Sequence, residues 1–140
     1  MTAPNNPDMN PDLSAPPTEE QAIDAGPPCV MTFNASDPSG AGGLAADITA
    51  LSSVGAHALP VVTGAYARDT AEIFDHFAFD EEAVAEQARA ILEDAPVAVI
   101  KVGFVGSPEA IAVIAEVAAD YADVPLLAYM PNLSWWEESQ

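Results

Sequence analysis

The chain has 140 residues, half of them apolar, and carries 22 acidic side chains against three basic ones, for a formal net charge of -19. That length builds one domain with a sizeable core, and the charge excludes partners whose surface is itself a dense array of negative charge, namely nucleic acid and anionic membranes. No apolar run approaches the roughly 18 residues of a membrane span.

The bases are Arg68, Arg89 and Lys101. With so little positive charge, any phosphate site has to rely on backbone N–H groups, a helix N-terminus or a metal ion. Cys29 is the single cysteine; in a strand read as buried it fits a reducing compartment. The first residues show no basic stretch followed by an apolar one, so the cytoplasm is the expected location.

Residues 1 to about 28 hold seven of the thirteen prolines, several acids and few large apolar residues. Such a stretch buries too little to offset its ordering entropy, and it reads as a disordered acidic tail ahead of a domain over 29–140. Cys29–Phe33 is an apolar run expected to form a buried strand. The loop Asn34–Gly43 follows. A helix from Gly42 to about Val54 comes next, with Leu44, Ile48 and Leu51 on its inward face and Gly55 as its stop. Ala58–Thr63 reads as a second strand, and Ile73, Phe74, Phe77 and Phe79 mark a short extended stretch. Asp80 caps a helix to about Glu93 with Val84, Ala88, Ile91 and Leu92 inward. Val97–Val102 is a strand. Ser107 and Pro108 open a helix to about Tyr121, and Leu126–Met130 is the fourth strand.

Strands alternating with helices imply right-handed crossovers, a mostly parallel sheet with helices on both faces, and a ligand site beyond the carboxyl ends of the strands. The loops at that end are Asn34–Gly43, Gly64–Thr70, Gly103–Gly106 and Pro131–Ser134.

The first loop holds the strongest motif: strand, polar glycine turn, helix. It aims backbone N–H groups and a helix dipole at one spot, and adds Ser36, Asp37, Ser39 and Asp47. It is not a P-loop, which needs a lysine. Gly40-Ala-Gly-Gly-Leu-Ala45 fits the dinucleotide pattern G-x-G-x-x-G/A on paper, but the acid required after the next strand is absent at Thr63-Gly-Ala65. A turn that only lets helix and strand pack closely is the plainer alternative.

Ser36-Asp-Pro-Ser-Gly-Ala-Gly-Gly-Leu-Ala-Ala-Asp47 resembles the S-D-P-S-G-G-A-G-I-Q-A-D signature of the hydroxymethylpyrimidine and phosphomethylpyrimidine kinases of thiamine biosynthesis. Val54-Gly-Ala56, Thr63-Gly-Ala-Tyr-Ala-Arg-Asp-Thr70 and Lys101-Val-Gly-Phe104 continue the likeness in order. The resemblance implies a ribokinase-like α/β fold and an activity that phosphorylates an aminopyrimidine alcohol or its monophosphate with ATP and Mg2+. It also implies a homodimer. It assigns the substrate side to Asp37, Gly42, Asp47, Arg68 and Phe104. Arg68 stands where the family has a glutamine, which both donates and accepts, whereas arginine only donates; a ligand bearing a phosphate or carboxylate is therefore expected to gain. Asp47 could also be an ordinary solvated helical carboxylate, and Phe104 an ordinary core residue. Lys101 reads as the partner of an acid rather than as a catalytic group. His57 and His76 support no metal or catalytic role.

Met130-Pro131 replaces the family's Asp-Pro near the phosphate region, and the anion hole and catalytic base Asp have no counterpart. The expectation is thus the substrate-side, N-terminal half of such a kinase, ending after about four strands and holding no catalytic residue or metal ligand itself. The alternative is a non-catalytic pyrimidine-binding or regulatory relative. Ser134-Trp-Trp-Glu137 reads as a capping box opening one more helix, with one indole buried and the other near the ligand mouth or a subunit contact.

Overall fold

In the computed structural model, residues 26–129 are described, together with 15, 16, 18 and 19. The body of the proposed tail, Met130, the Pro131–Ser134 loop and the Trp135–Trp136 capping box lie outside the described residues. The elements run β1 (Cys29–Ser36), α1 (Gly43–Ser53), β2 (His57–Arg68), β3 (Ile73–Ala78), α2 (Glu81–Leu92), β4 (Val99–Val102), α3 (Pro108–Asp120) and β5 (Leu126–Ala128).

Among the described residues five strands form one sheet in the order β3-β2-β1-β4-β5, rather than the expected four. The extra strand is the Phe-rich stretch, and it pairs antiparallel with β2 (Tyr66 opposite His76) while the other pairs are parallel. The short reach from Arg68 to Ile73 permits only an antiparallel return, since a parallel crossover needs a dozen or more residues. For the same reason the predicted Gly64–Thr70 loop is corrected: Gly64–Arg68 continues β2, because β3 gives it a partner.

β1 pairs with β2 on one side and β4 on the other. The chain order therefore reverses between β1 and β4, and this switch point opens a crevice at the carboxyl ends of the strands. α1 packs on β1 and β2. On the other face α2 and α3 cover the main core. There Met31 and Phe33 of β1, Leu59 and Val61 of β2 and Ile100 of β4 meet Val84, Ala88 and Leu92 of α2 and Ala110, Ile114 and Val117 of α3, all buried. The alternation in β1 explains the division: Met31 and Phe33 face the apolar core, while Thr32 and Asn34 face α1.

Both caps form as the sequence predicts. The Asp80 carboxylate accepts from the Ala83 N–H, and the Ser107 hydroxyl accepts from the Ala110 N–H with Pro108 in the first turn. Two expectations about burial are corrected. Cys29 is only half-buried: it is the first residue of β1 and packs at the margin of the core. Ile48 is 40 % exposed; α1 rests on a sheet face whose residues Thr32 and Asn34 are polar, and it seats there through Leu44 and Asp47 instead.

Candidate substrate pocket at the switch point

A cleft of about 210 Å³ opens at the carboxyl ends of the strands, lined by Asn34 of β1 and Asp37 just after it, Gly42 and Gly43 at the start of α1, Tyr66 and Arg68 of β2, and Gly103 and Phe104 after β4, with Ile73 and Tyr129 also lining it. Three of the four expected ligand segments, Asn34–Gly43, Gly64–Thr70 and Gly103–Gly106, thus contribute to one place. Of the predicted site residues, Asp37, Gly42, Arg68 and Phe104 line the cleft and Asp47 does not.

Asp47 lies one layer behind. Its carboxylate accepts from Thr32 Oγ1 at 2.6 Å and Asn34 Nδ2 at 3.0 Å, and pairs with the Lys101 ammonium. It is therefore not a solvated helical acid: only 11 % of its side chain is exposed. Burial alone would push its carboxyl up. The hydrogen bonds from Asn34, Lys101 and Thr32, with the charge of Lys101, outweigh that and hold it below the ordinary 3.8. The role expected of Lys101, partner to an acid at the ligand end of the sheet, is the one observed.

Asn34 connects this hidden cluster to the cleft. Its amide donates to Asp47, and its Oδ1 accepts from the Ala35 N–H at 2.9 Å and the Phe104 N–H at 3.3 Å. One side chain thus ties the ends of β1 and β4 together where the sheet splits. Gly103 makes room for it: a Cβ there would come within 2.5 Å of Asn34 Nδ2. Sequence reading passed over Asn34. The available signal was Thr32 and Asn34 alternating inside an apolar strand, a polar row aimed at α1.

Asp37 is held by the turn it begins. Its Oδ1 accepts from the Ser39 N–H at 2.8 Å and the Ser39 hydroxyl at 2.7 Å. Its Oδ2 lies 3.4 Å from Arg68 Nη1 and faces Gly42, where a Cβ would stand 3.2 Å away. Gly43 turns the chain into α1 with φ at +61°, and any side chain there would overlap the Ala35 carbonyl and Asp37. The glycine loop therefore does both jobs proposed for it, packing helix against strand and flooring a cleft.

Arg68 Nε donates to the Asp69 carbonyl at 2.9 Å, which steers the guanidinium toward Asp37. Its side chain is 18 % exposed, that of Asp37 2 %. All three bases of the chain are in fact ion-paired, Arg89 with Asp120 on the surface between α2 and α3.

Aromatic rings form the remaining wall. Phe104 lies 5.3 Å from Tyr66 and 4.8 Å edge-on from His76, and Tyr66 and His76 are 5.4 Å apart. Phe104 is thus both a packed residue and a lining one. Burial, reinforced by the charge of Asp37 and opposed by Arg68, raises the Tyr66 phenol to about 12. Burial lowers the His76 imidazole below 6.5 against the pull of Asp75. His57 sits at the start of β2, at the opposite end of the sheet.

A doubly wound sheet with a glycine-floored, aromatic-walled crevice at its switch point defines an α/β domain of the ribokinase-like kind. The chain belongs to the phosphomethylpyrimidine kinase family, whose model matches residues 37–129. It is 31 % identical over 93 residues to the hydroxymethylpyrimidine/phosphomethylpyrimidine kinase of Streptomyces coelicolor, covering 66 % of this chain and 35 % of that one. The crystal structure of phosphomethylpyrimidine kinase from Clostridium difficile superimposes with a TM-score of 0.67 at 31 % identity, over 72 % of this chain and 44 % of that one. A pyridoxal kinase from Staphylococcus aureus, in complex with AMP-PCP and pyridoxal, shares the fold with a TM-score of 0.63 at 22 % identity, over 77 % of this chain and 41 % of that one. The chain spans about a third of the length of the curated Streptomyces relative.

Proposed function

We propose that this chain supplies the substrate side of an ATP-dependent hydroxymethylpyrimidine/phosphomethylpyrimidine kinase of thiamine biosynthesis. The observation that carries the reading is the cleft at the β1/β4 switch point: an aromatic wall of Tyr66 and Phe104, their rings inclined at 31°, beside the polar pair Asp37–Arg68, four residues inside the family match. Such a wall suits a heteroaromatic ring, and such a pair its hydrogen-bonding edge. Substrate binding falls to Asp37, Gly42, Arg68 and Phe104, with Asp47 acting through Asn34.

ATP and Mg2+ belong to this reading as co-substrate and ion of the whole kinase. The described residues do not fit either. No group of three or more His, Cys, Asp or Glu among them comes together to hold a metal ion, and the one cation of the cleft is already paired with Asp37. Nor does a general base stand ready there, since Asp47 accepts from three donors and Asp37 from Ser39 and Arg68. The same engagement favours a second reading, a non-catalytic pyrimidine-binding relative. No helix among the described residues is long and apolar enough to cross a membrane; with a single thiol, the cytoplasm is the compartment of this proposal. A homodimer is part of it too, supported by the exposed Phe74 and Phe77 on edge strand β3.

The test is calorimetric titration of the 140-residue chain with hydroxymethylpyrimidine, alongside coupled ADP release with ATP. Saturable binding without turnover is expected for the chain as it stands. No binding of the pyrimidine at millimolar concentration removes the reading.

A further inference from the structure

We propose that His76 is an acid-sensitive latch that holds edge strand β3 on the sheet, and with it one side of the cleft: seated while its imidazole is neutral, expelled when it is protonated. The inference does not depend on what the cleft binds. Few side chains fasten β3. Of its six residues only Ile73 and His76 are part-buried, while Phe74 and Phe77 stand 62 % and 59 % exposed. Ile73 lines the cleft. His76 is the wedge. It lies opposite Tyr66 of β2, with its ring 5.4 Å from that of Tyr66 and 4.8 Å from that of Phe104. Both of its ring nitrogens are shut off from solvent. Two glycines leave room for it: a Cβ on Gly64 would stand 2.9 Å from Nε2, and one on Gly106 would overlap the ring.

Protonation works against this seat. An imidazolium carries a charge and two N–H donors, and is costly to keep where aromatic rings and glycines wall out water. The neighbouring groups do little to offset that. β2 presents the Tyr66 phenol, neutral up to about pH 12, and the Asp37 carboxylate beyond it is paired with Arg68. The Gly103–Ser107 connection carries no ionisable side chain. Asp75, beside His76 on β3, favours the charge but is itself exposed, and burial outweighs its pull. The imidazole is therefore held below the ordinary 6.5.

β3 is the part that can leave. Phe104 is fixed from elsewhere: the Thr63 hydroxyl donates to its carbonyl at 2.9 Å, and its N–H donates to Asn34. β2 pairs with β1 as far as Ala65, whereas β3 pairs only with β2 among the described residues. Expulsion of His76 thus withdraws Ile73 from the cleft and leaves Tyr66 to Arg68 without a ladder partner. Because the seated imidazole gives up its proton more readily than a free one, the latch is at full strength above pH 6.5. It weakens as pH falls through 6.5 toward the folded value. At pH 5.5 the open form gains at most about tenfold, and the ordinary carboxylates are still ionised there.

The test is NMR of the 140-residue chain. Histidine ring signals are titrated between pH 8 and 5, with His57→Gln to assign the exposed His57. Amide protection factors, corrected for intrinsic exchange, are compared at pH 7.5 and 5.5. A His76 midpoint below 6.5 is expected. So is a loss of protection of about five- to tenfold at residues 64–68 and 73–78, with β1 and β4 amides unchanged. His76→Gln, which cannot take up a proton, is expected to show no such pH dependence. A His76 midpoint at or above 6.5 overturns the inference, as does equal β2–β3 protection at the two pH values. A His76→Gln variant that keeps the native pH dependence also overturns it. If that variant does not fold, the native titration and exchange decide.

Discussion

Replacing Asp47 by asparagine should damage the cleft from behind, without touching a lining residue. The carboxylate receives three donors: the Thr32 hydroxyl, the Asn34 amide and the Lys101 ammonium. Asparagine can accept at one end only. If its NH2 takes the Oδ2 position it faces the Asn34 NH2, donor against donor. If the amide flips, the NH2 faces the ammonium instead. In either orientation a donor that is buried, or three-quarters buried for Lys101, loses its acceptor. Hydrogen bonds to a charged group contribute about 1.5–3 kcal/mol each, and breaking a fully buried ion pair costs about 3–5 kcal/mol. Lys101 is 26 % exposed and can turn to water, so the lower figures apply and about 2–3 kcal/mol is expected in total. With a urea m-value of about 1–1.5 kcal/mol per molar for a domain this size, the unfolding midpoint should fall by about 1.3–3 M. The pH dependence follows from the depressed carboxyl. A group whose pKa lies lower in the fold than in the unfolded chain adds stability that is complete above the unfolded value of 3.8 and is lost as pH falls through the folded value. The native chain should lose this contribution below pH 3.8, and Asp47→Asn should lack that part of the acid limb. A midpoint within 0.3 M of native (roughly 0.4 kcal/mol by the same m-value), with an unchanged acid limb, would show that the cluster contributes nothing and that Asn34 is held by other means.

Other outcomes can be checked directly. Gly103→Ala should displace the Asn34 amide, which lies within 2.5 Å of the added Cβ, and weaken pyrimidine binding by about tenfold at a cost of about 1–3 kcal/mol in stability; unchanged calorimetric affinity and urea midpoint would contradict the staple geometry. Spectrophotometric titration at alkaline pH should find one of the three tyrosines ionising near 12, and Tyr66→Phe should remove that step while leaving the others. Leu127→Lys on β5, whose Leu126 and Leu127 are 46 % and 62 % exposed, should reduce concentration-dependent association in sedimentation velocity, because a short apolar edge strand invites pairing; a native chain that is monomeric at every concentration tested would refute this.

The fold was largely legible because its signals are local. Apolar runs of strand length alternate with helices whose starts are marked by Asp80 and by Ser107-Pro108, and those caps form the hydrogen bonds their positions predict. What the sequence did not show is pairing. Residues 64–68 hold a glycine, two alanines and an arginine, a composition that reads as loop; β3 makes them strand by supplying the ladder partners Ala78, Phe77, His76 and Ile73. The exposure of Ile48 was equally hidden. The period of α1 tells which residues share a face, but not that the sheet beneath it is polar at Thr32 and Asn34.

The site divides along the same line. The glycine loop, Arg68 and Phe104 could be named because they lie in motifs. Asn34 and the depth of Asp47 could not, since both depend on register: Thr32 opposite Lys101 on β4, and α1 crossing above them. Register also changes the meaning of Arg68. Read along the chain, it is an isolated cation replacing a neutral amide, and the expectation of an anionic ligand follows. In the sheet, β2 runs beside β1, and Arg68 ends within 3.4 Å of the carboxylate that β1 delivers at Asp37. The cation that looked isolated is thus paired with a carboxylate 31 positions earlier, which no inspection of Arg68 by itself could reveal.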